Sequence, residues 1–163
     1  MFKNVFLGIF FLPFLILSGC GDKVRNSSDS IDLEQQIEEI SSSVSAFENT
    51  VIDRVLFDFD SFTIKDSQAK ELLNTQAEWL KENNATNIIL EGHCDERGTK
   101  DYNIALGEKR AHAVKDFLVF LGVNPDYIRV VSYGKEKPAY IGHDEYSWKN
   151  NRRVVTVVLS VED

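Results

Sequence analysis

From Val55 onward the hydrophobic period switches between two and about 3.6, and that alternation limits the folds open to the chain. Val55, Phe57 and Phe59 alternate with Leu56, Asp58 and Asp60, the mark of a strand with one apolar face. Asp66 offers a cap to a helix reaching about Glu82, with Ala69, Leu72, Gln76 or Ala77, and Leu80 on one stripe. Residues 87–91 read as a second strand and 92–100 as a polar loop. A second helix is expected over about 102–121, with Ala111, Val114, Leu118 and Leu121 facing inward and Gly122 ending it. Residues 128–132 and the β-branched run 154–161 supply two more strands. The order is β-α-β-α-β-β. Right-handed crossovers in the two successive strand–helix–strand units lay both helices on one face. The expected fold is α+β, a two-layer sandwich with a four-stranded mixed sheet and helices on one face. Residues 133–152 form a connection so long that a functional role is expected of it. Within it Tyr146-Ser147-Trp148-Lys149 suits a single helical turn.

Ahead of this domain lies a different kind of sequence. Residues 5–17 form an uncharged apolar run behind Lys3, too short to span a bilayer core of roughly 20 apolar residues. The run suits a signal peptide instead. Leu17-Ser18-Gly19-Cys20 is similar to the bacterial lipobox, which implies cleavage after Gly19 and acylation of Cys20. Several acyl chains on one cysteine make a stable anchor. Gly21, rather than Asp, follows the cysteine; similarity to enterobacterial sorting signals makes the outer membrane the expected destination. Residues 21–30 are polar and read as a flexible linker. Leu33, Ile37, Ile40, Val44 and Phe47 then recur at helical spacing, an amphipathic helix that packs on the domain, frays, or pairs with another copy. The organisation is 1–19 signal peptide, 20–50 lipidated N-terminus with linker and helix, and 51–163 globular domain.

Charge narrows the partners. With 18 basic and 26 acidic side chains the chain stands at −8, which argues against a nucleic-acid partner. Of the two cysteines, an acylated Cys20 leaves Cys94 without a partner in the chain. Cys94 then reads as a small, partly buried residue.

The chemistry concentrates in Glu91-Gly-His-Cys-Asp-Glu-Arg-Gly-Thr99 and Tyr102-Asn103-Ile-Ala-Leu106-Gly-Glu-Lys-Arg110. Asp95 lies just past a strand and Arg110 two turns into the following helix, so both project from one edge of the sheet. Asn103, Leu106 or Gly107, and Arg110 share a helical face. A guanidinium grips a carboxylate through two parallel hydrogen bonds, and a carboxylate accepts from an ammonium. A ligand carrying amine and carboxylate on one carbon satisfies both. On spacing alone, a bare ion pair between Asp95 and Arg110 is the commoner outcome.

Three segments resemble the peptidoglycan-associated lipoproteins, a branch of the OmpA-like domains: Val55-Leu-Phe-Asp-Phe-Asp60; the Glu91–Val114 region just described; and Ser132-Tyr-Gly-Lys-Glu-Lys-Pro138 with Gly142-His-Asp-Glu145 and Asn151-Arg-Arg-Val154. The resemblance implies a domain that binds the diaminopimelate of peptidoglycan stem peptides non-covalently. Asp95 would take the ammonium and Arg110 the carboxylate, with Phe59, Asp60 and Leu106 lining the pocket and part of the contact at Asp60 and Leu106 coming from backbone. Asn103 and Asn151 would be supports. It also implies an outer-membrane location facing the periplasm, a TolB-like periplasmic partner contacting the 133–152 loop, and a Tol-Pal role in envelope integrity and cell division.

Rival chemistries are weaker. His93-Cys94-Asp95 offers three metal-ligand types, but neighbours on a strand point to opposite faces, and His112 and His143 lie elsewhere. No metal or cofactor is expected. Asp58 and Asp60 on one strand face could suggest glycan cleavage, yet nothing else marks a catalytic acid. The expected protein is a binder, not an enzyme.

Overall fold

The computed structural model describes residues 53–161 and, ahead of them, seven helical positions: Gln35, Ile37, Glu38, Ser41, Ser42, Ser45 and Phe47. The expectations for the signal segment, Cys20, the linker, and Leu33, Ile40 and Val44 lie outside the described residues.

The elements run β1 (Arg54–Leu56), α1 (Ser67–Glu82), β2 (Ala85–His93), α2 (Lys100–Phe120), a 3-10 turn (Pro125–Tyr127), β3 (Ile128–Gly134), α3 (Glu145–Asn151) and β4 (Arg153–Val161). Sheet order is β1-β4-β2-β3. β2 and β3 pair in parallel, while β4 runs antiparallel to both β1 and β2. Alternate strand residues Val55, Ile88, Leu90, Ile128, Val154 and Val158 form one core with Leu73, Ala77 and Leu80 of α1 and Ala111, Val114 and Leu118 of α2. Both long helices therefore cover the same face, as expected. The two strand–helix–strand units are not equivalent, however: β4 inserts between β1 and β2.

Several boundaries move for local reasons. β1 stops at Leu56 instead of running to Asp60. The chain turns at Asp58, with Ser61 N–H reaching the Asp58 carbonyl at 3.3 Å and Asp60 at φ 51°. Phe57 remains in the core, but Phe59 is 60% exposed, so it leaves the apolar face that alternation assigns it. Asp66 caps α1 as expected. Leu73, rather than Leu72, is the sealed leucine there. α2 starts earlier than Tyr102 because Thr99 caps it, its hydroxyl accepting from Tyr102 N–H at 3.2 Å. Leu121 is only partly buried, and Gly122 turns the chain at φ 94°. The expected single turn near Tyr146 is a seven-residue helix, because the Asp144 side chain caps Ser147 N–H at 2.7 Å.

α2 lies unusually close to β2. A Cβ at Gly92 would sit 2.0 Å from the Gly107 carbonyl oxygen. Only glycine permits that approach, which brings Arg110 up against the end of β2.

Candidate functional site

Arg110 is fully buried, at 0% exposure. A buried guanidinium must spend its donors, and this one does. Nε donates to Ser61 O at 2.7 Å, Nη2 to Asp58 O at 3.0 Å, and Nη1 to His93 O at 3.0 Å and Cys94 Sγ at 3.4 Å. These bonds tie the 58–61 turn to the end of β2, which is why β1 cannot continue straight. Burial pulls the Arg110 guanidinium below its ordinary value. Burial likewise pushes the Cys94 thiol up, so it stays protonated, and it donates to Asn103 O at 3.3 Å.

Asp95, 4% exposed, is buried as well. Its Oδ1 accepts from Arg97 N–H at 3.1 Å and Arg97 Nε at 3.2 Å, and its Oδ2 from Arg97 Nη2 at 2.6 Å and Arg152 Nη1 at 3.3 Å. Burial alone would raise this carboxyl, but the hydrogen bonds from Arg97 and Arg152 outweigh it and hold it below the usual aspartate value. Arg152 is itself buried, donating to Phe57 O at 3.0 Å and Glu145 Oε1 at 2.7 Å.

Asp95 and Arg110 thus do not pair with each other. Both face a crevice of about 180 Å³ that Phe59, Asp60, Asn103 and Leu106 also line. The bare ion pair that spacing favours is absent, because each group is engaged by neighbours the spacing could not reveal. Asp60 accepts from the Tyr102 hydroxyl at the rim. Asn103 Nδ2 donates to Arg97 O at 2.8 Å and Thr99 O at 3.1 Å, fixing the loop beneath Asp95. Asn151 stands apart from the crevice. Its amide bonds Ala139 N–H at 2.8 Å, Tyr140 N–H at 3.0 Å and Tyr140 O at 2.8 Å, so its support goes to the long loop.

Sequence reasoning missed Arg97, Tyr102 and Arg152 as lining residues. The long loop is held to the site by Glu96, which accepts from Trp148 Nε1 at 2.9 Å and meets His143 Nδ1 at 2.8 Å. The His143 hydrogen bond, chiefly, holds Glu96 below and His143 above their ordinary values. Tyr140 and Tyr146 stand exposed on that loop, and Ile141 is 97% exposed.

The residues of the two rival sites are held in other ways. Asp58 and Asp60 share no strand face, since β1 ends before both. The His93 ring packs against Tyr133, with ring centroids 5.4 Å apart. Among the described residues no three His, Cys, Asp or Glu side chains are grouped to hold a metal ion.

Residues 56–152 match the OmpA family. The chain is 42% identical over 146 residues to the peptidoglycan-associated lipoprotein of Agrobacterium fabrum (strain C58), covering 88% of this chain and 82% of that protein. It is 51% identical over 98 residues to the protein of that name in Pseudomonas aeruginosa, covering 60% and 57%. The crystal structure of the peptidoglycan-associated lipoprotein from Burkholderia pseudomallei superposes with a TM-score of 0.61 at 48% identity, over 64% of this chain and 88% of that one. The chain belongs to the OmpA family and, within it, to the peptidoglycan-associated lipoproteins.

Proposed function

We propose that this protein binds peptidoglycan non-covalently and anchors the cell envelope to it. The ligand is the free amino-acid head group of diaminopimelate in a stem peptide. Asp95 accepts from its ammonium, Arg110 donates to its carboxylate, and Phe59, Asp60 and Leu106 flank its carbon chain. One observation carries this reading: two opposite charges, both buried, border a single crevice without neutralising each other. All three Arg110 nitrogens are already bonded, through four of its five N–H groups, so its grip on a carboxylate is that of the one remaining N–H group, not a free fork. Affinity per site is therefore modest, and firm attachment comes from many proteins acting over one surface.

The relatives carry the name lipoprotein, which supports the lipid anchor at Cys20, an outer-membrane location and a tether without catalysis. The test is co-sedimentation with purified walls. Wild-type protein is expected in the pellet with no soluble muropeptides released, and Asp95→Asn in the supernatant. Retention of Asp95→Asn would refute the assignment.

A second contact is favoured by the exposed Tyr140, Ile141 and Tyr146. This loop would dock a TolB-like periplasmic protein in a Tol-Pal system serving envelope integrity and cell division. Ile141→Asp should abolish recovery of such a partner from wall-free periplasm while wall binding persists.

A further inference from the structure

Three guanidinium groups line the crevice, and they are not held alike. Arg110 and Arg152 are buried and donate to backbone carbonyls. Arg97 is different: its side chain is 32% exposed, and both hydrogen bonds of its guanidinium go to Asp95. Its other supports are two aromatic faces, Phe59 at 4.1 Å and Trp148 at 4.2 Å from the guanidinium carbon. Two rings flanking a cation above a carboxylate make a seat for a positive charge.

The Arg97 backbone is fixed separately. Its N–H donates to Asp95 and its carbonyl accepts from Asn103. The side chain can therefore leave by rotamer change alone, with the loop standing still. The same is not open to Arg110 or Arg152, whose departure would strand buried carbonyls.

We propose that Arg97 is a self-supplied occupant of the ammonium seat, displaced by the ligand's own amine. This rests on the diaminopimelate reading above. The exchange is one cation for one cation at Asp95, so the buried carboxylate is never left with Arg152 alone. The device also sets specificity. A ligand with a carboxylate but no ammonium can reach Arg110, yet it cannot evict Arg97 and open the crevice. An acylated amine is rejected for the same reason. The raised affinity of Arg97 for its proton, due chiefly to its hydrogen bonds with Asp95, fits a permanent cation as the occupant.

The probe is a synthetic alanyl-glutamyl-diaminopimelate tripeptide, titrated into full-length protein beside the same tripeptide acetylated on its terminal diaminopimelate amine. Removing the competitor in Arg97→Ala should tighten the free-amine peptide on the order of tenfold, since apparent affinity scales with the open fraction. Arg97→Lys, which keeps a competing cation, should stay near wild type. In wild-type protein, the Arg97 Nε–H resonance should lose its paired position as the peptide saturates. Equal or weaker binding by Arg97→Ala, or an Arg97 Nε–H signal unmoved at saturation, would overturn the displacement while leaving diaminopimelate binding intact. Should Arg97→Ala not fold, the wild-type resonance alone decides. If wild type and Arg97→Ala both ignore the free-amine peptide, the diaminopimelate reading itself fails, and the displacement with it.

Discussion

Arg110 serves two masters, structure and ligand, and its variants should separate from those of Asp95. Its guanidinium holds carbonyls of residues 58, 61 and 93. Deleting it orphans them inside the protein, so Arg110→Ala should lose about 3–5 kcal/mol in urea unfolding along with wall binding. Asp95→Asn keeps shape and some hydrogen-bonding capacity. It should retain near-native unfolding, within about 2 kcal/mol, while losing at least tenfold in affinity for the tripeptide by calorimetry. A variant that lost stability and kept binding would contradict this division. The sequence made both residues visible, because charged side chains just past a strand and on the core-facing rim of a helix are conspicuous. It hid Arg97 and Arg152, since an arginine reads as a solvated surface charge until its partner is known.

At the scale of elements, the contact between Gly92 and Gly107 sets the height of α2 above the sheet. Gly92→Ala would drive a methyl into helix backbone, which cannot move aside as a flexible side chain could. It should cost about 3 kcal/mol or more, read from a denaturation midpoint, and weaken tripeptide binding by shifting Arg110. The N-terminal helical positions raise a second case. Ile37 is exposed although it belongs to the apolar stripe, whereas Phe47 is sealed against Trp79 in an edge-to-face contact at 4.9 Å. Phe47 thus pins the preceding segment to the domain. Phe47→Ala should cost about 3 kcal/mol and red-shift the Trp79 emission. Periodicity identified the apolar positions of this helix but could not say which of them would find a partner, because burial depends on where the neighbouring element ends.

For the whole molecule, buried His93 makes stability depend on pH. Burial, with help from the nearby Arg153 charge, lowers its pKa from 6.5 to about 4. The unfolded chain therefore takes the proton more readily than the folded one. The stability tied to neutral His93 is complete above about 6.5 and is lost as pH falls toward 4, on the order of 2–3 kcal/mol. His143 works in the opposite sense, its raised value favouring the fold below 6.5, but it is exposed and screened. Denaturation at pH 7.5 and 4.5 should show the loss in wild type and a flatter profile in His93→Gln. What the sequence determined by itself was the kind and sequence of elements, the face each turns inward, and the pair of charges at one sheet edge. Those follow from periodicity and spacing, which are local. Only the tertiary structure decided that β4 lies between β1 and β2, that Phe59 leaves its strand, and that Asp95 and Arg110 keep a crevice between them. Those outcomes depend on bonds such as Arg152 to Phe57 and Arg110 to Ser61, across 95 and 49 positions, and no local pattern encodes a partner so far along the chain.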